Sequence, residues 1–299
     1  MDFIRFAECV SVTGLKSKSG GGGIKMVVGF IGAGNMGGAL IEGALGRKVI
    51  ERDGIVFCEK DDPRAQEILQ RFNIKRLGQL AQLIRESEIV FLCVKPQDSR
   101  DVLEEVGRFI KEGQLLVSIM AGVSIELIQR LLGRNAAVVR AMPNTPALIG
   151  EGITAICHKD VKSSERLELV KAIFSSVGEV VEVKEEWMDA ITAISGSGPG
   201  FVFRMMEVFV GAGVELGIPQ DISKRLVVQT FLGASRLSKV SSKDLGELRG
   251  MVTSKGGTTQ AGLEKFSELK VDAALTEVLK AATFRAKELN RELFSKLSQ

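Results

Sequence analysis

The sequence predicts an α/β chain in two parts, a parallel sheet covered by helices over residues 26–184 and an all-helical unit over residues 185–299. Three observations carry this reading. Short β-branched runs alternate with helical patterns from Met26 onward, the alternation that builds parallel sheets with helices on their faces. A glycine-rich segment falls at the first junction of strand and helix. After Glu185 the strand-like runs stop, and helical segments follow one another, punctuated by "SGSGPG", "GIP" and "SKGG". A length of 299 residues also suits about two domains at the usual ~100 to 200 residues each.

The elements follow in order. Residues 1–25 end in "SKSGGGGIK" and lack the apolar centre and small-residue cleavage site of a secretory signal. Their glycine run reads as a flexible linker, so this segment is expected to be an extension, tag or misplaced start. "MVVGFI" is the first strand, with a helix to about Gly46. "IVFCE" is the second, with a helix from Pro63, and "IVFLCV" is next, with a helix from Gln97. "LLVSIM" leads to a helix starting at Ser124. Two strand runs follow, "AAVVRAM" and "GITAICH", then a helix from Ser164 to Ser176 and a closing strand, "EVVEV". In the last helix Val271, Ala274, Leu275, Val278, Ala282 and Leu289 recur near the 3.6-residue period, which makes one face apolar. Helices of this kind, with too few other elements to cover them, predict pairing with a second copy. There is no internal repeat and no heptad array.

Composition excludes several classes of function. With 45% hydrophobic and 26% charged residues, the chain is an ordinary globular protein. Its 40 basic and 37 acidic residues are intermixed. No basic block marks a nucleic-acid or membrane-surface partner. No apolar stretch reaches the ~18 residues of a membrane span, and a cytoplasmic location is expected. Cys9, Cys58, Cys93 and Cys157 form no C-x-x-C pair, and three of them sit in strand-like runs. They read as reduced, buried thiols, and no metal site is expected. The chain has no tyrosine and a single histidine, His158, which reads as a strand-end residue. Two common proton donors of enzymes are therefore nearly missing.

The first chemical motif is "GFIGAGNMGGAL", a G-x-G-x-x-G directly after a strand and at the opening of a helix. Gly32 permits a tight turn, Gly34 lets backbone amides reach a diphosphate, and Gly37 lets helix and strand approach closely. Gly32, Ala33, Gly34, Asn35, Met36 and Gly37 are thus candidate dinucleotide-binding residues of a Rossmann-type domain. At the end of the second strand Glu59 can bond the adenine-ribose hydroxyls, whereas Lys60 can pair with a 2′-phosphate. The two point to opposite cofactors, and NADPH or NADH stays open. Val94, Lys95 and Pro96, in "FLCVKPQ", fall at the carboxyl edge of the sheet, where such folds bind ligands. In "AMPNTPAL", Pro143 and Pro146 fix a turn from which Asn144 and Thr145 could reach the nicotinamide; a purely structural turn is the alternative. In "SGSGPG", Ser197 is a candidate for shaping a substrate pocket, the alternative being a simple helix break. Trp187 reads as a packing residue where the helical part begins.

In this order "GFIGAGNMGGAL", "VKPQ", "AGVS", "MPNTPALIGEG", "SGSGPGFVF" and "SKGGTTQAGL" resemble a pyrroline-5-carboxylate reductase, over nearly all of the chain from Met26. The resemblance implies reduction of Δ1-pyrroline-5-carboxylate to L-proline by NADPH or NADH, the last step of proline synthesis. It also implies a homodimer with interlocked helical domains, and larger rings such as a decamer of five dimers. Carried over position by position, it makes Ser254, Gly256, Gly257 and Thr258 substrate-binding, and gives Thr259 the catalytic hydrogen bond to the ring nitrogen. Lys255 departs from the proline usual there. Glycines ahead of a helix suit a carboxylate, because they expose amides at the positive end of the helix dipole; a threonine that only caps the helix is the bland alternative. A cyclic imine protonates far more readily than a carbonyl, so the shortage of acids suits this chemistry, which needs mainly positioning. Two rival readings stand beside it. One is a β-hydroxyacid-type dehydrogenase, whose catalytic lysine has no counterpart where "SGSGPGFVFRMM" offers Arg204. The other is a non-catalytic nucleotide-binding scaffold.

Overall fold

The computed structural model describes residues 26–295. The expected extension at 1–25, with Cys9, lies outside the described residues. From Val28 the chain alternates β1 (Val28–Ile31), α1 (Asn35–Gly46), β2 (Ile55–Cys58), α2 (Asp62–Phe72), β3 (Lys75–Arg76), α3 (Leu80–Glu86), β4 (Ile89–Leu92), α4 (Ser99–Phe109), β5 (Leu115–Ser118) and α5 (Ile125–Leu132). It continues with β6 (Ala137–Met142), β7 (Gly152–Lys159), α6 (Ser164–Ser175) and β8 (Gly178–Glu182). The strands form one sheet in the order β3-β2-β1-β4-β5-β6-β7-β8.

All pairings from β3 across to β6 are parallel, β7 runs antiparallel to β6, and β8 runs parallel to β7. The reversal departs from the all-parallel expectation and has a simple cause. A parallel partner requires a crossover of a dozen or more residues. Between Met142 and Gly152 there is only a short loop with a 3-10 turn, Thr145–Ile149.

The central strands are buried on both faces, and their period-2 alternation sends neighbours to opposite sides. Phe30 and Phe91 stack at 4.8 Å beneath α1, α2 and α6 and meet Phe174 at 5.7 Å. Ile31, Val90 and Leu92 face the other way, against α3, α4 and α5. Each large side chain fully buried this way contributes about 1.5–3 kcal/mol. β1 lies between β2 and β4, so the chain reverses its direction across the sheet there, and the carboxyl ends of β1 and β4 open a crevice.

The second half holds α7 (Met188–Ile191), a turn of π-helix (Thr192–Gly196), α8 (Gly198–Glu215), α9 (Gln220–Val240), α10 (Leu245–Met251), α11 (Thr258–Glu268) and α12 (Val271–Ser295). It is fastened to the sheet chiefly around α5 and β6, and again where Lys239 of α9 pairs with Glu179 of β8 at 2.6 Å. Ser124 N donates to Asn290 Oδ1 at 3.3 Å and Ile125 N to Glu185 Oε1 at 2.7 Å, so α5 begins under groups from the helical half. The buried Arg140 guanidinium reaches Asp189 at 3.1 Å and Glu185 at 3.5 Å. α8 and α9 form a hairpin closed by Phe209 against Phe231, but much of its apolar surface is bare. Leu216 is 82% exposed, and Phe203, Val208 and Val240 are also exposed, as is Leu245 of α10. Trp187 does not pack as expected: it is 51% exposed in one chain, with Lys184 over its ring. Among the described residues no helix is long and apolar enough to cross a membrane.

Candidate active site

The glycine-rich loop separates two kinds of glycine. At Gly32, φ is +88°, and a Cβ there would lie 2.8 Å from the Cys93 carbonyl oxygen; at Gly37 it would lie 2.6 Å from the Gly32 carbonyl oxygen. Packing within the chain itself demands glycine at both. A Cβ at Gly34 would meet no protein atom within 4 Å. Its absence leaves open space over the start of α1, where Gly34 is the N-cap, no side chain caps the helix, and the first turn carries no acid. Unpaired first-turn amides and the helix dipole make that space suit a diphosphate. The loop is tied down on both sides, by Gly32 N donating to Cys58 O at 2.8 Å and Cys93 N to Ile31 O at 2.8 Å.

Beyond β2, Glu59 turns its carboxylate onto this loop. Its Oε2 accepts from Ala33 N at 2.7 Å and its Oε1 from Asp61 N at 3.0 Å. Lys60 extends to Asp98 at 3.2 Å. Sequence reading missed Arg64 and Arg76. Arg64 Nε donates to Ala33 O at 2.8 Å and its Nη2 to Gly34 O at 3.3 Å, while Arg76 Nη2 donates to Glu59 O at 2.9 Å. "DDPR" signals a helix start, with Asp61 capping α2 through Arg64 N; the reach back to Ala33 becomes readable only once β1 and β2 are paired. Val94 stands beside Gly32, and Lys95 and Pro96 open a 3-10 turn (Pro96–Asp98) at the same edge. Cys58 and Cys93 flank the loop, and Cys157 lies farther off on β7, opposite Arg140. Burial raises the Cys93 and Cys58 pKa values and pushes Cys157 up to about 11, which keeps all three protonated near neutrality.

At the end of β6, Asn144 Oδ1 accepts from Ile153 N at 2.9 Å, so the carboxamide oxygen holds the turn while its NH₂ is left to donate. The preceding Met142 touches Gly196, where a Cβ would collide with its methyl group. "MPNTP" and "SGSGPG" therefore meet. The second of these is not a plain helix break: Ser197 N donates to Thr192 O at 2.7 Å, closing the π-turn ahead of α8. Such bulges are frequent at functional sites. His158 is at the end of β7 and bonds Glu182 at 3.0 Å, on the opposite side of the sheet from this chemistry.

The turn from Ser254 to Thr259 leads into α11, with Gly256 at φ +72° and Gly257 N donating to Ser254 O at 3.0 Å. Gly257 is the N-cap and no side chain caps the helix, so neither threonine serves as the cap. Thr258 is exposed and Thr259 half-buried. Gln260, also missed in the sequence, occupies the Gly256 amide with its Oε1 at 2.8 Å. The Gly256 amide is thus already paired with an oxygen acceptor. α11 packs chiefly on α12 rather than on the sheet.

A glycine loop open over a helix start at the crevice of a parallel sheet, joined to a helical half, is the arrangement of a dinucleotide-dependent oxidoreductase. The comparisons narrow the class. A family model for pyrroline-5-carboxylate reductase dimerisation matches residues 185–289, and one described as NADP oxidoreductase, coenzyme F420-dependent, matches residues 27–122. The pyrroline-5-carboxylate reductase of Corynebacterium melassecola is 35% identical over 88% of this chain and 98% of its own length; that of Synechocystis is 36% identical over 89% and 98%. Among solved structures, the Plasmodium falciparum pyrroline carboxylate reductase with NADP bound superposes with a TM-score of 0.80 at 30% identity, covering 90% of this chain and all of that one. The reductase from Coxiella burnetii gives 0.82 at 30%, covering 89% and 99%. The chain belongs to the pyrroline-5-carboxylate reductase family.

Proposed function

We propose that this chain reduces Δ1-pyrroline-5-carboxylate to L-proline with NADH or NADPH, the last step of proline synthesis. The observation that carries the reading is the Ser254–Thr259 turn, an uncapped helix start with a positive-φ glycine and an amide already on an oxygen acceptor. The Gly256 amide holds the substrate carboxylate, displacing Gln260; Gly257, whose own amide is on Ser254 O, brings the backbone close as the cap of α11, and the dipole of that helix favours the negative charge. Ser254 and Thr258 line the same turn, Ser197 shapes the pocket from the π-turn, and the Thr259 hydroxyl orients the ring nitrogen. The start of α1 holds the diphosphate, and Val94, Lys95, Pro96 and Asn144 border the nicotinamide half. The bound cofactor supplies the hydride. The imine arrives readily protonated, so the chain acts by positioning and needs no strong acid of its own.

The bare apolar face of α8 and α9 supports a homodimer interlocked through the helical half, with a decamer of five such dimers as the larger assembly. Three free thiols, Cys58, Cys93 and Cys157, suit a reducing compartment and support a cytoplasmic location.

Product analysis tests the reading. Incubation with pyrroline-5-carboxylate and either reduced cofactor should yield L-proline. The same imine without its carboxylate should react about tenfold to hundredfold less efficiently, from the loss of charge-assisted hydrogen bonds of about 1.5–3 kcal/mol. No proline with either cofactor would refute the proposal.

A further inference from the structure

The reductase reading leaves NADH and NADPH both open, and the charges around the end of β2 separate them. Resting on that reading, we infer that this chain selects NADH, with Glu59 as the discriminating residue. A diphosphate seated in the space at Gly34 places the adenosine ribose at the end of β2. There Glu59 is fixed at both oxygens, by Ala33 N at 2.7 Å and Asp61 N at 3.0 Å. Turning it away would strand two backbone donors, one of them in the glycine loop itself. A ribose 2′-hydroxyl can donate to this carboxylate, whereas a 2′-phosphate would meet it as a like charge at short range.

The nearby arginines do not offset this, because each is already committed. Arg64 spends Nε and Nη2 on the Ala33 and Gly34 carbonyls and Nη1 on Glu67. Arg76 bonds Glu59 O and Asp62. Both arginines brace the loop and the strand end. Lys60, the residue whose type suits a 2′-phosphate, instead reaches past the end of β1 to Asp98, in the turn after β4. Asp61, the remaining acid of the turn, caps α2.

Calorimetric titration of the full-length protein with NADH and with NADPH, at matched ionic strength and without substrate, tests the preference apart from catalysis. NADH should bind tighter by about tenfold or more, one decade of affinity. Glu59→Gln keeps an acceptor for Ala33 N while removing the charge, and should bring the two affinities to within about threefold of each other, mainly by improving NADPH. Lys60→Ala should leave the ratio in place. NADPH binding as tight as NADH in the wild type overturns the inference and leaves the reductase reading standing. A ratio that responds to Lys60→Ala and not to Glu59→Gln also overturns it, making Lys60 the reader of the 2′ position. Failure of the folded protein to bind either dinucleotide would overturn the reductase reading as well. The wild-type ratio decides alone if Glu59→Gln does not fold.

Discussion

Thr259 is the second residue of α11, half-buried beside Gly257, which rather than either threonine caps the helix. Its hydroxyl is therefore available to a ligand, and removing it tests chemistry more than stability. Thr259→Ala should lower kcat/KM about tenfold to hundredfold, the ~1.5–3 kcal/mol of a hydrogen bond to a charged group, with dinucleotide affinity and Tm near those of the parent. Thr258→Ala, on the exposed neighbour, should be milder on the same steady-state assay. Stability rests on other residues. Arg140 is 4% exposed and its charge is met by Glu185 and Asp189, so replacing both acids with Ala leaves an uncompensated buried cation. Urea unfolding should report a loss of about 3–5 kcal/mol. The sequence revealed the residues whose role is local. Gly32, Gly34 and Gly37 answer to backbone geometry over a few positions. Arg64 was not legible, because its partner Ala33 lies 31 residues away and meets it only through the pairing of β1 with β2.

Elements were legible in proportion to their apolar content. β1, β2, β4 and β5 are short, largely buried and largely apolar runs, and Ser124 marked the start of α5 as its cap. β3 is two charged residues and α3 a single seven-residue helix, too short to show a period. The direction of β7 was missed although the short connection ahead of it, too short for a parallel crossover, carried the signal. The first βα junction separates what the fold needs from what the ligand needs. Gly37→Ala drives a Cβ to 2.6 Å from the Gly32 carbonyl, so it should cost about 1–3 kcal/mol as overpacking and lower both Tm and dinucleotide affinity. Gly34→Ala meets no protein atom. It should melt like the parent yet bind NADH and NADPH more weakly in the same titration. Equal melting and equal binding for all three proteins would mean that the open space at Gly34 holds no diphosphate.

Across the whole molecule, the sheet half buries its core completely and the helical half does not. No residue of α8, α10 or α11 is buried in a single chain, while Phe203, Leu216, Val240 and Leu245 stand in solvent. That much bare apolar surface is the mark of an interface, and light scattering should find a dimer or larger assembly with no stable monomer. A monodisperse, fully active monomer would contradict the interlocked helices. The amphipathic pattern of α12 foretold a partner, but not that Trp187 would be left half open at the start of this half. The central claim is the reaction itself, and it is tested most directly by following the nicotinamide absorbance of NADH and NADPH in the presence of purified protein. Oxidation should begin only when Δ1-pyrroline-5-carboxylate is added, stop when the imine is exhausted, and not occur with a β-keto acid. Oxidation with the keto acid, or none with the imine and either cofactor, would contradict the claim.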